Sequence, residues 1–159
     1  MRNSLQKRTW AEVSLDNISH NYRAIRAALP EGCRFLGVVK ADAYGHGAVA
    51  VARLLESEGA DYLAVSCLDE AMELRSAGIT MPLLILGHTP SEYTETLIDN
   101  DITQTVSCLA KAQEFSARAA ALGRQLRIHI KIDTGMSRLG FLCGGDSFDE
   151  GVANVIASC

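Results

Sequence analysis

Long apolar runs are missing from this sequence of 159 residues, and stretches such as Met81 to Leu86 fall far short of the ~20 residues that cross a bilayer. No membrane span is expected. Runs of Lys or Arg are missing too, and 15 Lys+Arg against 19 Asp+Glu leave a formal net charge of −4. A surface that tracks a phosphate backbone is therefore not expected, and nucleic acid is a poor partner for this chain. The N-terminal residues Met1 to Arg8 begin basic but lack the apolar stretch of a secretory signal, so the expected location is the cytoplasm. The cysteines (Cys33, Cys67, Cys108, Cys143 and Cys159) are odd in number and none forms a C-x-x-C pair. Neither a disulfide framework nor a zinc knuckle is expected, and no metal site; the thiols read as reduced, mostly buried small side chains. What remains, 48% hydrophobic and 21% charged residues, is the composition of one soluble globular domain with material for a core.

Periodicity divides the chain into alternating helices and strands. Leu15, Ile18, Tyr22, Ile25 and Leu29 predict an amphipathic helix stopped by Pro30-Glu31-Gly32. Phe35 to Val39 predicts a short buried strand, and Ala48 to Leu55 a helix closed by Gly59. Tyr62 to Val65, Leu83 to Leu86 and Ile102 to Val106 predict further strands, and Asp69 to Ala77 and Leu109 to Leu122 further helices. Thr89-Pro90-Ser91-Glu92 reads as a helix start with a capping Thr and Pro at the first helical position. Arg127 to Asp133 predicts a last strand with Ile128, Ile130 and Ile132 on one face and His129, Lys131 and Asp133 on the other. Ser147-x-x-Glu150 resembles a capping box ahead of a helical face of Val152, Val155 and Ile156.

Such alternation with short connections implies parallel strands covered by helices, an α/β class. The strand ends Lys40, Ser66, Leu86, Val106 and Lys131 are separated by 26, 20, 20 and 25 residues, and Val65-Ser66-Cys67-Leu68-x-x-Ala71 is echoed 41 residues on by Val106-Ser107-Cys108-Leu109-x-x-Ala112. An open doubly wound sheet and an incomplete (β/α)8 barrel both fit. A full barrel takes ~250 residues, and the last helical face runs to Cys159 without a closing Gly or Pro. The expectation is a TIM-barrel-type fold cut after about five βα units.

Two segments carry candidate chemistry. In Val38-Val39-Lys40-Ala41-Asp42-Ala43-Tyr44-Gly45-His46-Gly47 an apolar strand delivers Lys40 at its C-terminal end, where α/β folds place ligands. Desolvation there enlarges the neutral fraction of a lysine, which can then attack a carbonyl and form a Schiff base. Tyr44 offers a hydroxyl just before a Gly-x-Gly helix start whose backbone N–H groups favour phosphate. Gly45-x-Gly47-x-x-Ala50 imitates a dinucleotide fingerprint only weakly, because five residues separate it from the strand end at Val39. The second segment, His129-Ile130-Lys131-Ile132-Asp133-Thr134-Gly135-Met136-Ser137-Arg138-Leu139-Gly140-Phe141, places Lys131 on a polar strand face and Arg138 in a glycine-bounded loop. A guanidinium fixed there could meet a phenolate or carboxylate.

Together KADAYGHG and HIKIDTGMSRLGF resemble the lysine motif and the arginine-bearing strand-loop of bacterial alanine racemases, a resemblance that extends from Thr9-Trp10-Ala11-Glu12 to about Phe141. It implies that residues 1–159 form the N-terminal part of a pyridoxal 5'-phosphate barrel domain whose last units and β-rich second domain are not in this sequence. By the same resemblance Lys40 would bind the cofactor covalently and act as one of two catalytic bases, and Tyr44 would bond the phosphate. Arg138 would bond the phenolic oxygen, and Lys131 would be the carbamylated lysine that orients Arg138. The second base would be a tyrosine of the partner in a homodimer. The implied reaction interconverts L- and D-alanine, supplying D-alanine for peptidoglycan; the alternatives are a serine or broad-specificity racemase and a non-catalytic pyridoxal-phosphate-binding protein.

Overall fold

The structure, a computed structural model, describes residues 9–144 and 147–158. Helix α1 (Leu15–Ala28) begins where Ser14 Oγ accepts a hydrogen bond from the Asn17 N–H at 3.2 Å, and it ends as Leu29 turns extended ahead of Pro30. Strand β1 (Leu36–Val38) follows, then a short helical turn α2 (Lys40–Gly45) and helix α3 (Ala48–Ser57). The pattern continues with β2 (Tyr62–Val65), α4 (Leu68–Ser76), β3 (Leu83–Ile85), α5 (Thr94–Asp99), β4 (Ile102–Val106), α6 (Leu109–Ala121) and β5 (Ile128–Ile130).

These five strands form one parallel sheet in the order β1-β2-β3-β4-β5. Each strand is added beside its predecessor and the order never reverses, so there is no switch point of the doubly wound kind. Right-handed crossovers repeated in one direction put every covering helix on the same face. The architecture is therefore the wall of a (β/α)8-type barrel. Register confirms two distinct faces. The rows Gly37–Leu63–Leu83–Ile102 and Val65–Ile85–Gln104–Ile128 lie on the helix side, where Leu63, Val65, Leu83 and Ile85 are fully buried in the core with Leu55, Leu74 and Phe115. The alternate row, Val38–Ala64–Leu84–Thr103, faces the barrel interior. Leu36 and Val38 on that interior face are each 39% exposed, and across it Tyr62 Oη and Thr103 Oγ1 share a hydrogen bond at 2.6 Å.

The internal echo has a structural counterpart. Cys67 and Cys108 are both extended and both stand immediately before a helix, and Ala71 and Ala112 each donate a backbone bond to the carbonyl of their cysteine and pack in the core. Equivalent positions of a repeating βα unit thus carry equivalent residues.

Several expectations are corrected. The predicted strand Arg127 to Asp133 divides at Lys131: Ile132–Asp133 forms a separate strand β6 that pairs in parallel with β7 (Phe141–Gly144), which pairs antiparallel with β8 (Ser147–Phe148). The alternation inverts at that break, so Asp133 is buried while Ile132 is exposed. Thr89 does not cap a helix; a 3-10 turn at Ser91–Tyr93 precedes α5, Pro90 is extended, and Thr89 Oγ1 is buried without a partner among the described residues. Ser147 lies in β8 and so cannot open a capping box; the N–H of Gly151, first residue of α7 (Gly151–Ser158), donates to Asp149 Oδ1 at 2.8 Å. The four described cysteines are free thiols, but none is buried: Cys33 and Cys108 are exposed and Cys67 and Cys143 half-buried, because strand-end and loop positions do not project into the core. Cys159 lies outside the described residues.

Candidate active site

Every strand of the main sheet runs the same way, so Lys40, directly after β1, and the loop that carries Arg138, after β5 and β6, both leave the C-terminal end of the barrel wall. A cavity of about 430 Å³ among Arg34, Asp61, Tyr62, Leu84, Arg127 and His129 lies at the opposite end, at the strand N-termini, and is the barrel floor.

Lys40 opens a turn of unusual hand. Ala41, Asp42, Ala43 and Tyr44 have φ of 51°, 54°, 51° and 56° with ψ between 36° and 51°, so α2 is a left-handed helical turn built from residues that each have a Cβ. Left-handed backbone costs an L-residue roughly 1–2 kcal/mol because Cβ crowds the following carbonyl. Such a turn persists only when its surroundings over-determine it. Here the Ala43 N–H donates to the Val39 carbonyl at 2.9 Å and the Gly47 N–H to the Asp42 carbonyl at 3.0 Å. His46 Nδ1 lies 2.8 Å from the Ala43 carbonyl, and since a carbonyl can only accept, that nitrogen carries the proton. Ala43 itself is buried in the core. The left-handed winding brings Lys40 Nζ to 5.9 Å from the centroid of the Tyr44 ring and leaves Tyr44 62% exposed at the rim.

Two carboxylates pin this turn. Asp42 Oδ1 accepts the Ala48 N–H at 2.7 Å, so the first N–H of α3 is bound by an anion of the protein itself. Of the donors expected to meet a phosphate, the Tyr44 hydroxyl belongs to a side chain exposed at the rim. Glu70, in the first turn of α4, accepts the Ala41 N–H through Oε1 at 2.8 Å and the Ser66 N–H and hydroxyl through Oε2, each at 2.7 Å. Partial burial pushes the Glu70 carboxyl up, but the Ser66 donors, the Ala41 N–H and the Lys40 charge outweigh it and hold the group below the ordinary glutamate value.

The second loop is organised by Asp133. Its Oδ1 accepts the N–H groups of Gly135 (3.0 Å) and Ser137 (2.9 Å), and its Oδ2 that of Arg138 (2.9 Å). Those backbone donors, Gly135 and Ser137 foremost, prevail over desolvation and lower the Asp133 carboxyl below the usual aspartate range. The buried carboxylate thereby fixes the backbone of Arg138 while the residue itself stays exposed. Gly140 closes the loop: with φ of 127° its Cα presses against the strand, and a Cβ there would stand 2.8 Å from the Asp133 nitrogen and 2.9 Å from the Lys131 carbonyl oxygen.

Of the residues singled out by sequence, Lys40 and Tyr44 come into contact, and Lys131, half-buried at the break between β5 and β6, lies at the base of the loop that ends in Arg138. Neither Lys131 nor Arg138 has an ion-pair partner among the described residues. Glu70, Asp42 and Asp133 were not singled out as site residues. Glu70 follows Ser66 by four residues, whereas a capping box needs three, so its local pattern gave no signal and its long bond to Ala41 could not be read along the chain.

Comparison with known proteins bears on the family and the fold. Residues 13–157 match the family described as "Alanine racemase, N-terminal domain". An alanine racemase from Clostridium perfringens is 48% identical over 150 residues, which is 94% of this chain and 38% of that protein. The solved alanine racemase of Clostridium difficile 630 in complex with cycloserine superposes with a TM-score of 0.86 at 47% identity, covering 97% of this chain and 41% of its own. A histidine racemase from Leuconostoc mesenteroides superposes over 92% of this chain and 38% of its own at a TM-score of 0.79 and 26% identity. The chain thus spans about two fifths of the length of the racemases it matches. With that family model matched over residues 13–157, this chain belongs to the alanine racemase family, as a segment of its N-terminal domain.

Proposed function

We propose that this chain supplies the cofactor-bearing wall of a pyridoxal-phosphate-dependent alanine racemase that acts as a homodimer in the cytoplasm. The observation that carries the reading is Lys40 at the C-terminal end of β1, held on a strained left-handed turn that sets the Tyr44 ring beside it. The donor set fits the cofactor: an amine for its carbonyl, an exposed phenol hydroxyl for its phosphate, and a guanidinium on a fixed loop for its phenolic oxygen. Bound there, pyridoxal 5'-phosphate would supply an electron sink that acidifies the Cα–H of an amino acid.

The chain's own residues would do the rest. Lys40 would hold the cofactor covalently and, once released by the incoming amino group, move the Cα proton on one face. Tyr44 would donate its hydroxyl to the phosphate. Arg138 would donate to the phenolic oxygen, its backbone held by Asp133. A carbamate on Lys131 would replace a cation by an anion near Arg138 and orient the guanidinium. Racemisation needs an acid/base group on each face of Cα, and Lys40 serves one; residues 1–159 alone are therefore expected to show no sustained conversion of L-alanine to D-alanine. Alanine is the substrate favoured by relatives at 47–48% identity, while the shared architecture of a histidine racemase fits a segment that sets cofactor chemistry and leaves side-chain preference to other residues.

The test is chemical trapping. The chain is incubated with pyridoxal 5'-phosphate, reduced with borohydride and mapped by peptide mass. Label on Lys40 is the expected result; label on Lys111 or Lys131 in its place overturns the assignment.

A further inference from the structure

We propose that Glu70 is the positioning residue of the lysine turn: its carboxylate ties the C-terminal ends of β1 and β2 together and so aims Lys40 and Tyr44 at the cofactor. This rests on the reading of Lys40 as the cofactor lysine. The geometry is a two-sided bridge. Oε2 serves the start of Glu70's own helix, through the Ser66 N–H and hydroxyl, while Oε1 crosses 29 positions of sequence to the N–H of Ala41, the first left-handed residue after Lys40.

The sequence repeat shows that the helix start does not require this carboxylate. In the echoed unit, Ser107 and Lys111 stand where Ser66 and Glu70 stand here, and α6 forms from Leu109 all the same, with Lys111 paired to Glu114 at 2.7 Å. What distinguishes the first unit is its neighbour. Helix α4 packs against the left-handed turn, and the bond that Glu70 adds is made to that turn. The Ala41 N–H belongs to the peptide that joins Lys40 to the left-handed residues, so an acceptor held on α4 anchors the entrance of the turn. A carboxamide at position 70 has one acceptor oxygen and one NH₂, and cannot accept at both ends of the bridge.

The experiment compares Glu70→Gln and Ser66→Ala with the unaltered chain. Amide hydrogen exchange is followed residue by residue, and Lys40 and Lys111 are scored for capture of pyridoxal 5'-phosphate by borohydride reduction. In Glu70→Gln, exchange at Ala41 to Tyr44 is expected to accelerate about tenfold or more, and Lys40 capture to slow by a similar factor while Lys111 capture does not change. Ser66→Ala, which leaves the Ala41 bond in place, is expected to keep both near the unaltered values. Unchanged exchange at Ala41 to Tyr44 in Glu70→Gln overturns the proposal, as does equal loss in Ser66→Ala, which would reduce Glu70 to a helix cap. Failure of Lys40 to capture cofactor in the unaltered chain would instead refute the proposed function, and the exchange measurement would still judge the bridge.

Discussion

Replacing Ala41 by glycine is expected to stabilise this protein, although glycine ordinarily weakens a helical segment. Ala41 is exposed, has φ of 51° and ψ of 51°, and contributes no buried side chain, so no packing is lost on removing its Cβ. Left-handed backbone costs alanine roughly 1–2 kcal/mol, which glycine escapes. Against this, glycine gains freedom in the unfolded chain worth about 0.5–1 kcal/mol. The difference favours the variant by about 0.5–1 kcal/mol, a rise in urea midpoint of about 0.2–0.5 M for a typical denaturant slope. The control is Ala117→Gly, an exposed alanine in the right-handed interior of α6, where the same change should cost about 1 kcal/mol. Urea unfolding followed by circular dichroism reads both. Opposite signs are the expected result; equal destabilisation at both positions would mean that Ala41 is not left-handed, and the account of how Lys40 is presented would fall with it.

The remaining expectations concern the second loop and acid. Gly140→Ala places a methyl group 2.8 Å from one backbone atom and 2.9 Å from another at a φ of 127°, and should cost about 2–3 kcal/mol or more; faster hydrogen exchange across Thr134 to Arg138 would show the loop loosening, and exchange as slow as in the unaltered chain would refute the close approach. The carboxyls of Glu56, Glu70 and Asp133 are all held below their ordinary values by N–H and hydroxyl donors. Their contribution is therefore fully present above the unfolded-state values near pH ~4 and is lost as pH falls through the lower folded-state values. Urea midpoints should drop steeply below about pH 4, and a flat profile down to pH ~2 would contradict the depressed carboxyls.

Much of the architecture was legible along the chain because it is written in short-range pattern. The apolar runs at Tyr62 to Val65 and Ile102 to Val106, the helix faces through Leu109 and Phe115, and the stops at Gly59, Gly78 and Gly123 fixed the element types and most boundaries. The repeat spacing narrowed the fold to two closures. The motif residues Lys40, Tyr44, Lys131 and Arg138 were legible as well, as unusual polar residues at or just after strand ends. Strand order was not, because pairing joins residues such as Leu63 and Leu83 whose partnership no local pattern encodes; it bears out the barrel wall that chain length had favoured over a doubly wound sheet.

The hand of the lysine turn was also hidden. Ala41 to Tyr44 contains no glycine, and local preference for such residues is right-handed or extended. The left-handed winding is held by bonds that leave the turn, to Glu70 on a later helix and from the Ala48 N–H to Asp42, and by burial of Ala43. The break at Lys131 is local by contrast, since Asp133 turns inward to collect three N–H groups of its own loop and alternation yields to that demand. Sequence by itself determined which residues are chemically unusual and what elements carry them. Tertiary structure decided how Lys40 is aimed, because the bond at the entrance of its turn runs to Glu70, 29 positions on and near only in space, and the surrounding contacts outweigh the backbone's local preferences.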